Sequence, residues 1–262
     1  MMIFKILITL LILTGGLNFA YAEDWIETLR FVHKDNPTVC IFEPSPIIQE
    51  RFHEDVLQAT INSVLIWQNE MKQYTGGDWY MDIKYYEYKY HVDKVPTDFP
   101  ECQILSVYEQ INTGEFNVKE TALGFTTFDF SRSSHQYSMI VTFLQFYENR
   151  PNFSICIGEC PNQPKPTVSI EQVPKDLSTN VVQKIIMHEF GHALSIGHYV
   201  EDRDKVNNEY SMMYPNMKPF SENRLEIGQV DKEMLKKIYG ADGFGGIDGF
   251  SPYIYRISEL LN

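Results

Sequence analysis

The chain has 262 residues, 44% of them hydrophobic, with 35 acidic against 22 basic side chains and a formal net charge of −13. That length supports one sizeable domain with its own core. The acidity sets aside nucleic acid as a partner, because holding phosphates takes Lys and Arg to displace counterions. Residues 1–22 read as an export leader. Lys5 precedes an apolar run from Ile6 to Leu13 broken only by Thr9, and Ala20-Tyr21-Ala22 is a small-x-small cleavage site before Glu23. The run is short for a bilayer span, so an uncleaved anchor is the lesser reading. No later segment is apolar enough to cross a membrane. A secreted or cell-surface location follows. Four cysteines, Cys40, Cys102, Cys156 and Cys160, in an exported chain point to disulfides. Of the three pairings, Cys40–Cys102, tying two strand-like segments, with Cys156–Cys160, closing a small loop, is favoured over free thiols or a Cys-only zinc site.

Residues 38–43, TVCIFE, predict a first strand that Pro44 and Pro46 break. A long helix over 47–74 follows. Phe52, Val56, Ala59, Ser63, Trp67, Met71 and Tyr74 recur three or four apart on one stripe, and Gly76-Gly77 ends it. Residues 80–90, YMDIKYYEYKY, alternate as a strand whose phase slips at Tyr85-Tyr86, which predicts a bulge. The tyrosines read as ordinary strand residues in preference to a carbohydrate platform. Further strands are expected at 103–108, 121–128 and 137–146, then Pro-rich, turn-rich sequence from Asn149 to Asp176. Asn152-Phe153-Ser154 there is a glycosylation sequon.

A second helix should begin near Ser178-Thr179-Asn180, all good N-cap residues, and run through VVQKIIMHEFGHAL. A third is expected at 229–239, with Val230, Met234, Leu235 and Ile238 on one face and Gly240 as its stop. Strands and helices mix without strict alternation, so the class is α+β. The domain layout is a leader at 1–22, one domain at 23–240 and a Gly-rich tail at 241–262.

The chemistry is concentrated in HEFGHALSIGH, residues 188–198. His188 and His192 are four apart on a helix, so both imidazoles share one face and can bite one ion. Glu189 projects at a different angle, toward a water instead of the metal. Neutral imidazoles suit zinc, and three protein ligands leave its fourth position open. Two histidines on a surface helix are the bland alternative. Against it stand the apolar setting of Val181-Val182 and Ile185-Ile186-Met187, and a third histidine, His198, six residues after His192. His33, His53, His91 and His135 read as ordinary surface or partly buried residues.

HEFGHALSIGH resembles the long zinc signature of the metzincin peptidases, H-E-x-x-H-x-x-G-x-x-H. Tyr210-Ser-Met-Met-Tyr-Pro215 resembles that clan's Met-turn in its matrixin form, and VDKEMLKKIYG is similar to the closing helix of matrixin domains. The resemblance implies a mixed five-stranded sheet with three main helices and zinc in the cleft between an upper and a lower subdomain. It implies a secreted, zinc-dependent endopeptidase acting on peptide or protein substrates. His188, His192 and His198 would be the ligands, Glu189 the general base for a zinc-activated water, and Met213 the turn methionine. Tyr214, Pro215, Asn216 and Met217 would wall the substrate pocket. Strand 137–146 is expected to pair with an extended substrate.

There are departures. Ser195 stands where the family has a glycine, at a turn that favours positive φ. No cysteine-bearing propeptide is evident, nor the histidine and aspartate set of a second, structural zinc. The loop after His198 is longer than in matrixins; a Ca2+ role for Glu201, Asp202 or Asp204 competes with a plain solvated charge run. Ser195 is also what supports the alternative of a catalytically silent, zinc-stabilised binding protein on the same fold.

Overall fold

A computed structural model describes residues 33, 35–44, 48, 54–75, 77–87, 99–112, 122–129, 137–153, 168–198, 210–214 and 224–240. Five strands form one sheet: β1 (Thr38–Phe42), β2 (Asp82–Tyr86), β3 (Ile104–Glu109), β4 (Gly124–Asp129) and β5 (Tyr137–Phe143), in the order β2-β1-β3-β5-β4. All neighbours are parallel except β4, which runs antiparallel to β5. Three helices, α1 (Glu54–Thr75), α2 (Thr179–Ala193) and α3 (Gln229–Tyr239), complete the expected α+β arrangement.

Strand alternation divides the apolar residues between two faces. Val39, Ile41, Ile104 and Ile140 join the core built with Trp67 and Met71 of α1, Ile186 and Phe190 of α2, and Met234 and Leu235 of α3. Cys40, Phe42, Leu105, Val107, Met139, Val141 and Phe143 pack on the other face. Burial on both sides is why these strands read as nearly unbroken apolar runs. The expected Cys40–Cys102 disulfide lies in that second cluster, with Cα atoms 5.7 Å apart. Cys156 and Cys160 lie outside the described residues. On α1 the predicted stripe is buried at Val56, Ala59, Ser63, Trp67 and Met71. The Trp67 indole donates to the Met187 carbonyl at 2.8 Å and pins α1 against α2.

Three expectations are corrected. The strand expected to pair with substrate, 137–146, is β5, and it lies inside the sheet between β3 and β4; among the described residues the edge on that side is β4 and the opposite edge is β2. Strand order is set by long-range pairing, which a local pattern does not carry. The bulge expected at Tyr85-Tyr86 is absent: β2 pairs with β1 in unbroken register from Thr38↔Asp82 to Phe42↔Tyr86. As an edge strand with partly exposed faces, β2 has no strict alternation to keep. The segment read as turns holds an antiparallel hairpin, β6 (Gln145–Phe153) with β7 (Val168–Asp176). Pro151 and Pro174 are tolerated because each strand of a two-stranded ribbon is an edge. Among the described residues no helix is long and apolar enough to cross a membrane.

Candidate metal centre

α2 presents His188 and His192 one turn apart, ring centroids 4.8 Å from each other. The chain leaves the helix, turns at Ser195 and returns His198, whose Nε2 lies 3.2 Å from His188 Nε2 and 3.1 Å from His192 Nε2. Two backbone carbonyls fix the tautomers. His188 Nδ1 donates to Met212 O at 2.8 Å, and His192 Nδ1 donates to Ile196 O at 2.7 Å. Each Nε2 lone pair of the helical pair is thereby aimed inward, because the other ring nitrogen is tied to a carbonyl, as metal-bound imidazoles need. A tetrahedral ion with bonds of about 2.0–2.1 Å sets its ligand atoms roughly 3.3 Å apart, close to the spacing here. Among the described residues these three histidines are the group able to hold an ion. Burial lowers His188 to about 4 and His192 well below its ordinary value, with the neighbouring imidazoles adding to it. The rings are neutral donors, which suits zinc.

The turn forms with serine in place of glycine. Ser195 has φ 71°. Its N–H donates to His192 O at 2.8 Å and the Ile196 N–H to Gly191 O at 2.9 Å, the two bonds of a Schellman motif. A non-glycine residue in that conformation costs about 1–2 kcal/mol, whereas a structural zinc contributes on the order of 10 kcal/mol. The substitution leaves the geometry intact, so nothing at this turn favours the silent-protein alternative.

Glu189 is 5% exposed and faces the edge strand. Thr126 of β4 places its hydroxyl 2.8 Å from Glu189 Oε2 and 3.0 Å from the Glu189 carbonyl. Gly124 lets β4 close on the helix: a Cβ there would lie 2.6 Å from Ile185 Cγ2 and 3.2 Å from Glu189 Cγ. Burial pushes Glu189 up to about 8, and the Thr126 hydroxyl opposes that rise.

Beneath the histidines runs the segment Ser211–Tyr214. Met213 is fully buried. It fits because α2 has glycine at 191, where a Cβ would lie 2.2 Å from Met213 Sδ. Asp231, near the start of α3, holds this turn. It accepts from Ser211 Oγ at 2.5 Å, Met212 N at 2.7 Å and Gly228 N at 2.9 Å. Ser211 Oγ accepts in turn from Met213 N at 3.0 Å. One carboxylate thus caps α3 and fixes the carbonyl that orients His188. Burial raises Asp231 to about 6, against those hydrogen bonds.

Sequence reasoning missed Thr126, Ser211 and Asp231. Only Asp231 had a local signal, an acid in the first turn of a helix. His33, expected to be a surface or partly buried residue, is buried more deeply than that: it is 6% exposed and hydrogen-bonded to the end of α2. Tyr214 packs partly buried against the main core. Pro215, Asn216 and Met217, the acidic Glu201, Asp202 and Asp204, and His53, His91 and His135 lie outside the described residues.

The Matrixin family model of peptidases matches residues 53–240, which spans α1 to the end of α3 and includes the three histidines, Glu189, Thr126, Met213 and Asp231. No individual curated protein matches the chain. With most of the chain matched and a histidine triad that can hold zinc, the chain belongs to the matrixin family and is a zinc metalloendopeptidase.

Proposed function

We propose that the protein is a secreted endopeptidase, with residues 1–22 a removable leader, 23–240 the catalytic domain and 241–262 an appended tail. His188, His192 and His198 hold one zinc ion. The observation that carries this reading is His198 Nε2 lying 3.2 Å from His188 Nε2 and 3.1 Å from His192 Nε2, beside a buried carboxylate that is oriented from another element.

When bound, zinc supplies a Lewis acid that acidifies water and polarises a peptide carbonyl. Glu189 takes the proton of the attacking water at its carboxylate and passes it to the leaving amine. Thr126 holds that carboxylate in place through Oε2. Burial raises the proton affinity of Glu189, and a bound zinc would lower it again, so that the carboxylate could serve as a base near neutral pH. Met213 does no chemistry; it fills the space under the helix that Gly191 leaves. Among the described residues β4 pairs with β5 on one side and ends the sheet on the other. Its other edge offers backbone N–H and C=O groups to an extended peptide, beside Glu189, which suits β-augmentation. Tyr214, Pro215, Asn216 and Met217 wall the pocket for the residue after the cut.

The test is digestion of a diverse peptide mixture by the purified protein, read by mass spectrometry with zinc and with a chelator. Internal cuts that vanish with the chelator are expected. Absence of cuts by zinc-loaded protein, or cuts confined to chain ends, would refute the reading.

A further inference from the structure

The last carbonyls of α2 have no helical partners of their own and must be satisfied elsewhere. Phe190 O and Gly191 O take the Leu194 N–H, Gly191 O also takes Ile196 N–H, and His192 O takes Ser195 N–H. Two carbonyls remain, Ala193 O and Leu194 O, at positions with no exposure to solvent. Both are met by residues far away in sequence. The His33 ring approaches Ala193 O with Nε2 at 3.2 Å. The Tyr239 hydroxyl, at the end of α3, donates to Leu194 O at 3.2 Å. That hydroxyl also accepts from the His33 N–H at 3.5 Å, and Trp79 Nε1 donates to His33 O at 3.3 Å. His33 is thus held at both backbone ends, and its ring is kept neutral, lowered to about 4 by burial. A neutral ring facing a carbonyl through Nε2 carries its proton there.

We propose that His33 and Tyr239 form a cap, supplied from distant parts of the chain, for the C-terminal end of α2, and that they are positioning residues for His198. The link is short. Ser195 sits directly after the two capped carbonyls in a left-handed conformation that a serine does not favour, and His198 follows three residues later. Without the cap, two buried carbonyls lose their partners, and the helix end relaxes by fraying or moving toward water. His188 and His192 stay on the helix body; His188 Nδ1 is tied to Met212 O outside the turn, and His192 Nδ1 to Ile196 O within it. The third ligand is the one displaced. A segment preceding β1 thereby acts on the metal centre without touching it.

The inference rests on the proposed zinc site. The experiment measures zinc affinity by competition with a chromophoric chelator, using protein expressed from the 262-residue sequence. Thermal unfolding of the zinc-free form is recorded beside it. His33→Ala is expected to weaken zinc binding tenfold or more. His33→Gln, which places an amide N–H near the Nε2 position, should recover most of that loss. Tyr239→Phe should weaken binding several-fold. Ile140→Val, a core change away from the turn, should lower thermal stability and leave zinc affinity alone. If His33→Ala does not fold, Tyr239→Phe against His33→Gln and Ile140→Val carries the test. Equal zinc affinity in His33→Ala, Tyr239→Phe and the unaltered protein would overturn the cap alone. Failure of the unaltered protein to bind zinc would overturn the site and the cap with it.

Discussion

At its C-terminal end α2 is sealed: Phe190, Ala193, Leu194 and Ile196 are at most 1% exposed, and partners from three parts of the chain meet its last carbonyls. At its N-terminal end Ser178 and Asn180 face solvent, and the Ser178 side chain makes no cap hydrogen bond. The chain arrives there from a hairpin whose exposed face includes Tyr147 and Ile170, 42% and 71% exposed. Local stability is set by buried contacts and protected hydrogen bonds. The helix is therefore most rigid where Glu189 and the histidines sit and least constrained where it starts. Constraint is concentrated at the chemistry.

The largest effect should come from the sealed end. Glu189→Gln keeps the shape and removes the proposed base, so kcat should fall about 10²–10⁴-fold while zinc stays bound, as steady-state kinetics and metal analysis would show. Undiminished turnover would break the mechanism. A second effect comes from His33, whose neutral burial links folding to pH. Its folded value is about 4 against an ordinary 6.5. As pH falls below 6.5 the unfolded chain takes the proton first, so stability present above 6.5 is lost down to about 4 and then levels off. At about 1.4 kcal/mol per pH unit, that is about 3 kcal/mol. Urea unfolding of zinc-free protein at pH 7.5 and 4.5 should show that extra loss in the unaltered protein and not in His33→Gln. Glu189 and Asp231 are shifted the other way but are common to both proteins, so they cancel in the difference.

The same contrast explains what could be read in advance. β1, α2 and α3 were legible because their apolar spacing is local: TVCIF is one buried strand, and the third helix was expected at the residues Gln229–Tyr239 occupy. The four-residue spacing of His188 and His192 put both on one face for the same reason. The Cys40–Cys102 pair needed only the idea that two strands would be neighbours. What could not be read depends on long-range placement. Ala193 O is met by a histidine 160 residues earlier in the chain, and Glu189 by a threonine 63 residues before it. The interior position of β5 is fixed by its pairing with β3, not by its own residues. Hairpin β6–β7 was hidden by Pro151 and Pro174, which a central strand would not accept.

Two smaller effects sharpen the comparison within the sealed end. Thr126→Val keeps the shape of the side chain and removes the hydroxyl that holds Glu189 Oε2. A hydrogen bond to a charged group contributes about 1.5–3 kcal/mol, so kcat should fall at least about tenfold with KM little changed, and Thr126→Ser should restore it. A matching rise in KM would mean that Thr126 binds substrate instead. Ser195→Gly relieves the left-handed serine. It should stabilise the protein by about 0.5–1 kcal/mol, a rise of roughly 1–4 °C in Tm, readable by calorimetry. A fall in Tm would show that the serine side chain contributes more than its backbone strain costs.

The smallest effect is expected at the open end, and it separates the two ends most directly. Serine at a helix N-cap usually contributes about 1 kcal/mol through a side-chain bond to the first free N–H groups. Ser178 has the extended backbone of an N-cap, with φ −71° and ψ 152°, but its hydroxyl makes no such bond. Ser178→Ala should therefore change stability by less than about 0.5 kcal/mol, as at an ordinary surface position. Hydrogen exchange should show the amides of Thr179 to Val181 opening well before those of Phe190 to Leu194. A loss near 1 kcal/mol would mean that the cap bond forms in solution and that the start of α2 is held more firmly than its exposure implies. The gradient along the helix would then be shallower, and the rigidity of the catalytic end would owe less to His33 and Tyr239 and more to the helix as a whole.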